Sequence, residues 1–201
     1  MTTKQNNHGL SKMVLVAIII VAVLPVLAGT LLYISGWKPN GKVNYGELIT
    51  PPRPVTEIAL QTVDGKPTSF KSMHGKWVMV YVDSSACIDA CPKSLYTIRQ
   101  IHTAQGKEAD RIKRVFIATD NTQPASLQAQ KKLYPDMEIW IAGAAALPQL
   151  NQAFALQAGT VPHRNYLVDP LGNVMMQYAP QADPAGIRKD LARLLSYSWT
   201  G

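Results

Sequence analysis

The stretch Trp77-Val-Met-Val-Tyr-Val-Asp-Ser-Ser-Ala-Cys87-Ile-Asp-Ala-Cys91-Pro92 decides how the rest of the chain is read. Trp77 to Val82 is continuously apolar and rich in β-branched residues, the pattern of a central strand covered on both faces. Two cysteines follow, with three residues between them. Pro92 suits the first position of a helix, where its missing N–H would have no partner in any case. Leu95, Ile98 and Ile101 then share one face, which predicts a helix from about Pro92 to Ala104. Pro92 also steers Cys91 away from helical torsions, so the pair is expected on the loop and cap entering the helix. Unpaired N–H groups and the helix dipole favour a thiolate there, and Lys93 adds positive charge.

Beyond the cysteines, Val115 to Thr119 predicts a second buried strand and Ala125 to Leu133 a helix. Met137 to Ile141 predicts a short strand, and Leu147 to Leu156 a further helix. Asn165 to Asp169 and Val174 to Tyr178 flank Pro170-Leu-Gly-Asn173, a hairpin turn. Ile187, Leu191, Leu194 and Leu195 mark a closing amphipathic helix. Before the cysteines, Glu57 to Val63 alternates and turns at Asp64-Gly65. This order predicts a mixed α/β sheet covered by helices. The cysteines then lie at the carboxyl end of a central strand, the edge where sites of open α/β sheets usually form.

Between Lys12 and Lys38 no residue is charged. Met13 to Ile34 is long enough to cross a bilayer, which takes about 20 apolar residues. Pro25 is compatible with such a helix, and Tyr33 and Trp37 sit where interfacial aromatics belong. The competing reading is a cleaved signal peptide, with Val26-Leu27-Ala28 as its cleavage site. The apolar run continues past that site to Ile34 and outlasts a signal core of roughly 7–15 residues, so a retained anchor over residues 13–36 is expected. Lys4 and Lys12 precede the span and Lys38, Lys42 and Arg53 follow it, which leaves little charge bias. Long C-terminal domains translocate largely regardless of charge. Residues 1–12 are therefore expected as a short cytoplasmic tail. The domain, residues 57–201, is expected in the periplasm or the equivalent mitochondrial intermembrane space, an oxidising compartment for its thiols. Residues 37–56, with Pro51-Pro52-Arg53-Pro54, read as an extended Pro-rich tether.

Composition narrows the functions further. A chain of 201 residues with 47% hydrophobic and 16% charged residues is too apolar for disorder and suits one domain plus an appendage. Two cysteines are too few for a disulfide scaffold or a four-thiolate zinc site. The formal charge is +7, but Lys and Arg are scattered singly or in pairs such as Lys131-Lys132. No stripe or motif points to nucleic acid, and the excess suits an acidic protein or a membrane surface.

Two converging thiolates can exchange disulfides or bind a soft ion such as Cu(I). An inert disulfide is the bland alternative. It would close a loop of five residues, worth roughly 2 kcal/mol of loop entropy. Asp83, Ser84 and Ser85 make the approach polar, which disfavours a buried unreactive pair. A copper site needs a third ligand. His8 belongs to the expected tail, His74 precedes Gly75 in a loop, and His102 lies about three turns along the helix from the thiols. His163, in Thr160-Val-Pro-His163-Arg-Asn, leads into a late strand whose loop can lie beside the cysteines.

The strand, Cys87-Ile-Asp89-Ala-Cys91-Pro92 and Leu95 together resemble the Sco/SenC copper-chaperone family of the thioredoxin superfamily. That family carries Cys-x-x-x-Cys-Pro with a central Asp, and a His before a late strand that ends in a Pro-x-Gly turn, here Asp169-Pro170-Leu-Gly172. Ala118-Thr-Asp120-Asn-Thr-Gln-Pro124 is similar, in reduced form, to the family's Asp-Pro-x-x-Asp-Thr-Pro segment. The resemblance covers about residues 45–196 and implies a thioredoxin-like α/β fold with one N-terminal transmembrane helix. It further implies copper held by Cys87, Cys91 and His163, and help in assembling the CuA centre of cytochrome c oxidase. The partner would be an oxidase subunit or another assembly factor. Three departures stand out: His163 is about two residues closer to the turn than in the family pattern, Pro162 precedes it, and the Arg usual after Asp-Pro is missing near Asp120.

The rival reading is a metal-free thiol–disulfide oxidoreductase in which Cys87 attacks, Cys91 resolves and His163 is dispensable or only tunes a thiol. A thiol peroxidase is weaker, since the Thr-x-x-Cys signature preceded by Pro is absent. A member of the family acting as a structural subunit of an oxidase assembly complex is the fourth.

Overall fold

A strand that is apolar at successive positions has to be covered on both faces, and the sheet is built around one. The computed structural model describes residues 8–36, 44–156 and 163–198. Its strands are β1 (Glu47–Pro54), β2 (Leu60–Thr62), β3 (Pro67–Thr68), β4 (Trp77–Asp83), β5 (Ile112–Ala118), β6 (Glu138–Ile141), β7 (Arg164–Val168) and β8 (Asn173–Tyr178). Its helices are α1 (His8–Ile34), α2 (Ala90–Thr103), α3 (Pro124–Leu133), α4 (Leu147–Phe154) and α5 (Pro184–Tyr197). The strands form one sheet in the order β1-β8-β7-β4-β5-β6-β2-β3. β4, β5 and β6 run parallel, and every other neighbouring pair is antiparallel.

All seven residues of β4 are buried. Alternation along the strand divides them between two cores. Trp77, Met79 and Tyr81 pack with Leu95 and Ile98 of α2 and with Ile187, Leu191 and Leu195 of α5. Val78, Val80 and Val82 face the other side, with Phe70 and with Leu150 and Phe154 of α4. Edge-on aromatic contacts fix that second core, Phe70 on Trp140 at 5.0 Å and Phe154 on Tyr166 at 4.9 Å.

The mixed α/β sheet expected from the sequence is present, and two details differ. Residues 47–54 of the expected tether are β1, which pairs with β8 through Glu47↔Gln177 and Leu48↔Met176 and, after an irregularity, Arg53↔Val174. An edge strand leaves one side unpaired, so prolines without N–H groups are tolerated there. Residues 37–43 lie outside the described residues. The second difference is the start of α2, at Ala90 rather than Pro92, which puts Cys91 in the first turn and not on the preceding loop. N–H groups throughout a first helical turn lack intrahelical partners, so Pro92 fits its third residue as well as its first.

The apolar span Lys12–Ile34 has a mean hydropathy of 2.9 and is long enough to cross a membrane. At about 1.5 Å per residue it matches a hydrocarbon core of about 30 Å. Thr30 Oγ1 donates back to the Val26 carbonyl at 2.8 Å, which removes a polar group from an apolar helix surface. The helix begins at His8, so the last residues of the expected tail are helical; residues 1–7 lie outside the described residues. The described residues from 44 to 198 form a second compact unit.

That unit begins at a buried charge. Asp190 of α5, 4% exposed, accepts the N–H groups of Tyr45 and Gly46 at 2.9 and 2.8 Å and the Tyr178 hydroxyl at 3.4 Å. Burial, with the Asp190 carboxylate beside it, pushes the Tyr178 phenol well above its ordinary range. A Cβ on Gly46 would lie 2.6 Å from both Met176 and Tyr178, so only glycine lets the backbone approach so closely. Asp190→Ala strands the buried N–H of Gly46 and the partly buried one of Tyr45 and is expected to cost about 2 kcal/mol. Urea denaturation of the full chain in detergent micelles, followed by tryptophan fluorescence, reads the loss; an unchanged midpoint would show that Asp190 does not hold this entry segment.

Candidate functional site

β4 ends where the sheet meets α2, and the cysteine loop joins them. Cys87 and Cys91 form a disulfide with their Cα atoms 5.0 Å apart. Cys87 is 5% exposed and Cys91 fully buried, both packed into the core beneath α2. Among the described residues, positive φ outside glycine occurs at Cys87 (47°), Asp89 (54°), Ala155 (54°) and His163 (43°), so three of the four lie at this end of the sheet. Such torsions cost about 1–3 kcal/mol each and persist only where the surroundings enforce them.

Part of that enforcement comes from the loop after β5. Asp120 accepts from the hydroxyl and N–H of Ser85, and from the N–H and hydroxyl of Thr122 at 3.0 and 2.7 Å. Ser85 Oγ in turn accepts the Gln123 N–H at 3.0 Å, and Ser126 Oγ donates to the Ala86 carbonyl at 2.9 Å. Burial pushes the Asp120 carboxyl up, but the donors from Ser85 and Thr122 outweigh it and hold the group at about 2. The sequence reading placed Asp120 in a family segment without its partner Ser85, which lies 35 residues away.

The other side of the loop faces β7. Because β7 runs antiparallel beside β4, with Val82 opposite Arg164, the residue preceding β7 arrives at the carboxyl end of β4. That residue is His163, and its Nδ1 lies 2.9 Å from Oδ2 of Asp83. Asp83 is 2% exposed and also accepts from the Tyr81 hydroxyl and the Ser84 N–H, each at 2.7 Å. Burial, and then the Asp83 carboxylate, push the Tyr81 phenol far above its ordinary range. Reasoning from the sequence took Asp83 only as part of a polar approach. A carboxylate closing an otherwise apolar strand was the available signal, since a buried charge needs donors.

The other histidines are engaged elsewhere or lie apart. His74 caps a short helical turn over Phe70–Met73. His102 Nε2 lies 3.0 and 3.3 Å from the Ala109 and Ile112 carbonyls, and burial and the nearby Arg114 cation lower its pKa. His8 begins α1, and Thr160, Val161 and Pro162 lie outside the described residues. Among the described residues no three His, Cys, Asp or Glu side chains are gathered so as to hold a metal ion. Once reduced, two thiolates with an imidazole are a donor set suited to monovalent copper. Beside the first turns of α2 lies a groove lined by Lys93, Ser94, Asn165, Pro180 and Ile187. The Asn165 Oδ1 there is buried without a hydrogen-bond donor.

A central strand running into a Cys-x-x-x-Cys helix, with an antiparallel strand whose preceding residue, His163, arrives at the same edge, defines a thioredoxin-like fold. Residues 77–198 match the family described as transmembrane-like, thioredoxin-like, C-terminal domain, and the chain belongs to that family. Among solved structures it is similar to copper-bound ScoI of Bradyrhizobium japonicum, at 24% identity and a TM-score of 0.55 over 72% of this chain and 98% of that one. Copper-bound ScoI of Arabidopsis thaliana gives 16% and 0.61 over 77% and 99%. Apo Sco1 of Thermus thermophilus gives 20% and 0.59 over 78% and 98%. The resemblance read from Cys87 to Pro92 is borne out at the level of the fold that these proteins share. No curated protein gives a match by sequence.

Two outcomes follow for the loop. The Asp120 carboxyl titrates near 2 in the fold and near 3.8 free of it, so its contribution is complete above about pH 4 and is lost as pH falls through about 2. Asp120→Asn should flatten that acid limb of a plot of Tm against pH, by about 1 kcal/mol after allowance for solvent. Asp89→Gly relieves φ of 54° with ψ of −104° and should raise Tm, a gain of about 1 kcal/mol; a fall in Tm would show that the torsion carries no strain.

Proposed function

We propose that the protein is a membrane-anchored copper-handling chaperone in which reduced Cys87 and Cys91, with His163, hold Cu(I). The assembly it serves is the CuA centre of cytochrome c oxidase, with an oxidase subunit or another assembly factor as partner. α1 is its anchor, and the domain faces the periplasm or the mitochondrial intermembrane space. The observation that carries this reading is the arrival of His163 at the carboxyl end of β4, the strand that runs into the cysteine loop. Soft sulfur ligands stabilise Cu(I), and one imidazole completes a three-coordinate site. Copper leaves by exchange onto thiolates of the partner. Oxidation of Cys87 and Cys91 to their disulfide, with two electrons passing to a partner disulfide, withdraws both sulfur ligands and couples release to redox state.

The disulfide itself favours a second reading, a metal-free thiol–disulfide oxidoreductase. Cys87, the less buried sulfur, would attack, and Cys91 at the start of α2 would resolve the mixed disulfide. The groove lined by Lys93 and Asn165 would seat the partner's chain.

Anaerobic Cu(I) titration of the reduced full chain in micelles, against a competing chelator, separates the two. One-to-one binding that weakens at least tenfold in His163→Ala, about 1.4 kcal/mol, and is lost in Cys87→Ser/Cys91→Ser is the expected result. Binding no tighter than in the double-cysteine variant would overturn the copper reading and leave the reductase.

A further inference from the structure

We propose that Asp83 is a positioning residue for His163: its carboxylate holds the imidazole through Nδ1–H and so presents the Nε2 lone pair as the ligating atom. The ligand role rests on the copper-handling reading; the positioning stands on geometry. Asp83 sits at the last position of a strand buried throughout, and its only ion-pair partner among the described residues is His163, at 2.9 Å. Oδ1 accepts the Ser84 N–H, and Oδ2 accepts both the Tyr81 hydroxyl and the imidazole. Ser84 N–H can only donate. The Tyr81 hydroxyl, raised far above its ordinary pKa, keeps its proton and donates as well. A carboxylate met by these donors acts as an acceptor, so the hydrogen between it and His163 belongs to Nδ1. A neutral imidazole carries one N–H, and the bond at one nitrogen sets the role of the other. Asp83 therefore selects the tautomer opposite to the one that predominates for imidazole free in water.

The same contact fixes direction. Tyr81 is fully buried and anchors Asp83, so the carboxylate cannot turn to follow the ring. With Nδ1 held at the buried end, Nε2 lies on the far side of a ring that is 41% exposed and stays reachable. A carboxylate at Nδ1 also makes Nε2 a better donor, the arrangement by which metal-binding histidines are commonly oriented. The chain of control runs from Tyr81 through Asp83 to His163, across two adjacent strands 80 residues apart in sequence.

The test reads the tautomer directly. Full-length protein with 15N-labelled histidine, reduced and metal-free in micelles, gives nitrogen shifts for each imidazole, with His163→Ala assigning the signal. The expected result is His163 protonated at Nδ1 and bare at Nε2, shifting toward the Nε2–H form in Asp83→Asn, whose amide can donate as well as accept. Cu(I) affinity should fall about 10- to 100-fold in Asp83→Asn, and by no further amount when His163→Ala is already present. An Nε2–H form in the wild type overturns the proposal. So does an equal affinity loss from Asp83→Asn with and without His163. If Asp83→Asn does not fold, the wild-type tautomer decides alone. If the wild type binds no Cu(I), the chaperone reading falls while the tautomer still reports whether Asp83 positions His163.

Discussion

The carboxylate of Asp83 is a charge at the end of a strand with no solvent beside it, and the site is organised around satisfying it. β4 is buried because its side chains feed two cores, and that burial denies Asp83 water. An isolated ion in such a place would be prohibitively costly. Three donors converge instead: one from the same strand, one from the turn that follows, and one from His163, the residue before β7. The requirement to satisfy one charge thus ties the β7 entry to the strand carrying the cysteines, and brings the histidine to this edge.

The cysteine loop is gripped from both flanks. Asp83 lies on one side, and on the other the Ser85–Asp120–Thr122 network fastens it to the loop after β5. Between these fixed points, Cys87 and Asp89 adopt torsions that an L residue avoids, and His163 does so across the gap. A loop restrained at both ends can hold such backbone without unfolding.

What could be read from the sequence was whatever local periodicity writes down. The apolar run from Trp77, the face of Leu95, Ile98 and Ile101, and the hairpin around Pro170-Leu-Gly172 each became the predicted element. β1 escaped because Pro51, Pro52 and Pro54 erase the alternation that marks a strand, and only its pairing to β8 makes it one. The start of α2 escaped because Asp89 breaks the backbone by its torsion, which composition does not record. His163 became a candidate by setting aside the other three histidines and by the family resemblance, and it does lie at this edge. Asp83 was not singled out, since its role depends on a strand pairing 80 residues distant, and a single sequence holds no trace of that register.

The prolines of β1 have a consequence for how the molecule meets others. The sheet has two margins, β1 with Pro51, Pro52 and Pro54, and the two-residue β3, which begins at Pro67. Pro51, Pro52, Pro54 and Pro67 remove amide donors from the two margins, which makes each a poorer template for growing the sheet by another strand. Open sheet edges invite swapping and fibrous association. With both margins blunted, the flanks are the less receptive part of the sheet, and the sulfurs lie at its end rather than along them.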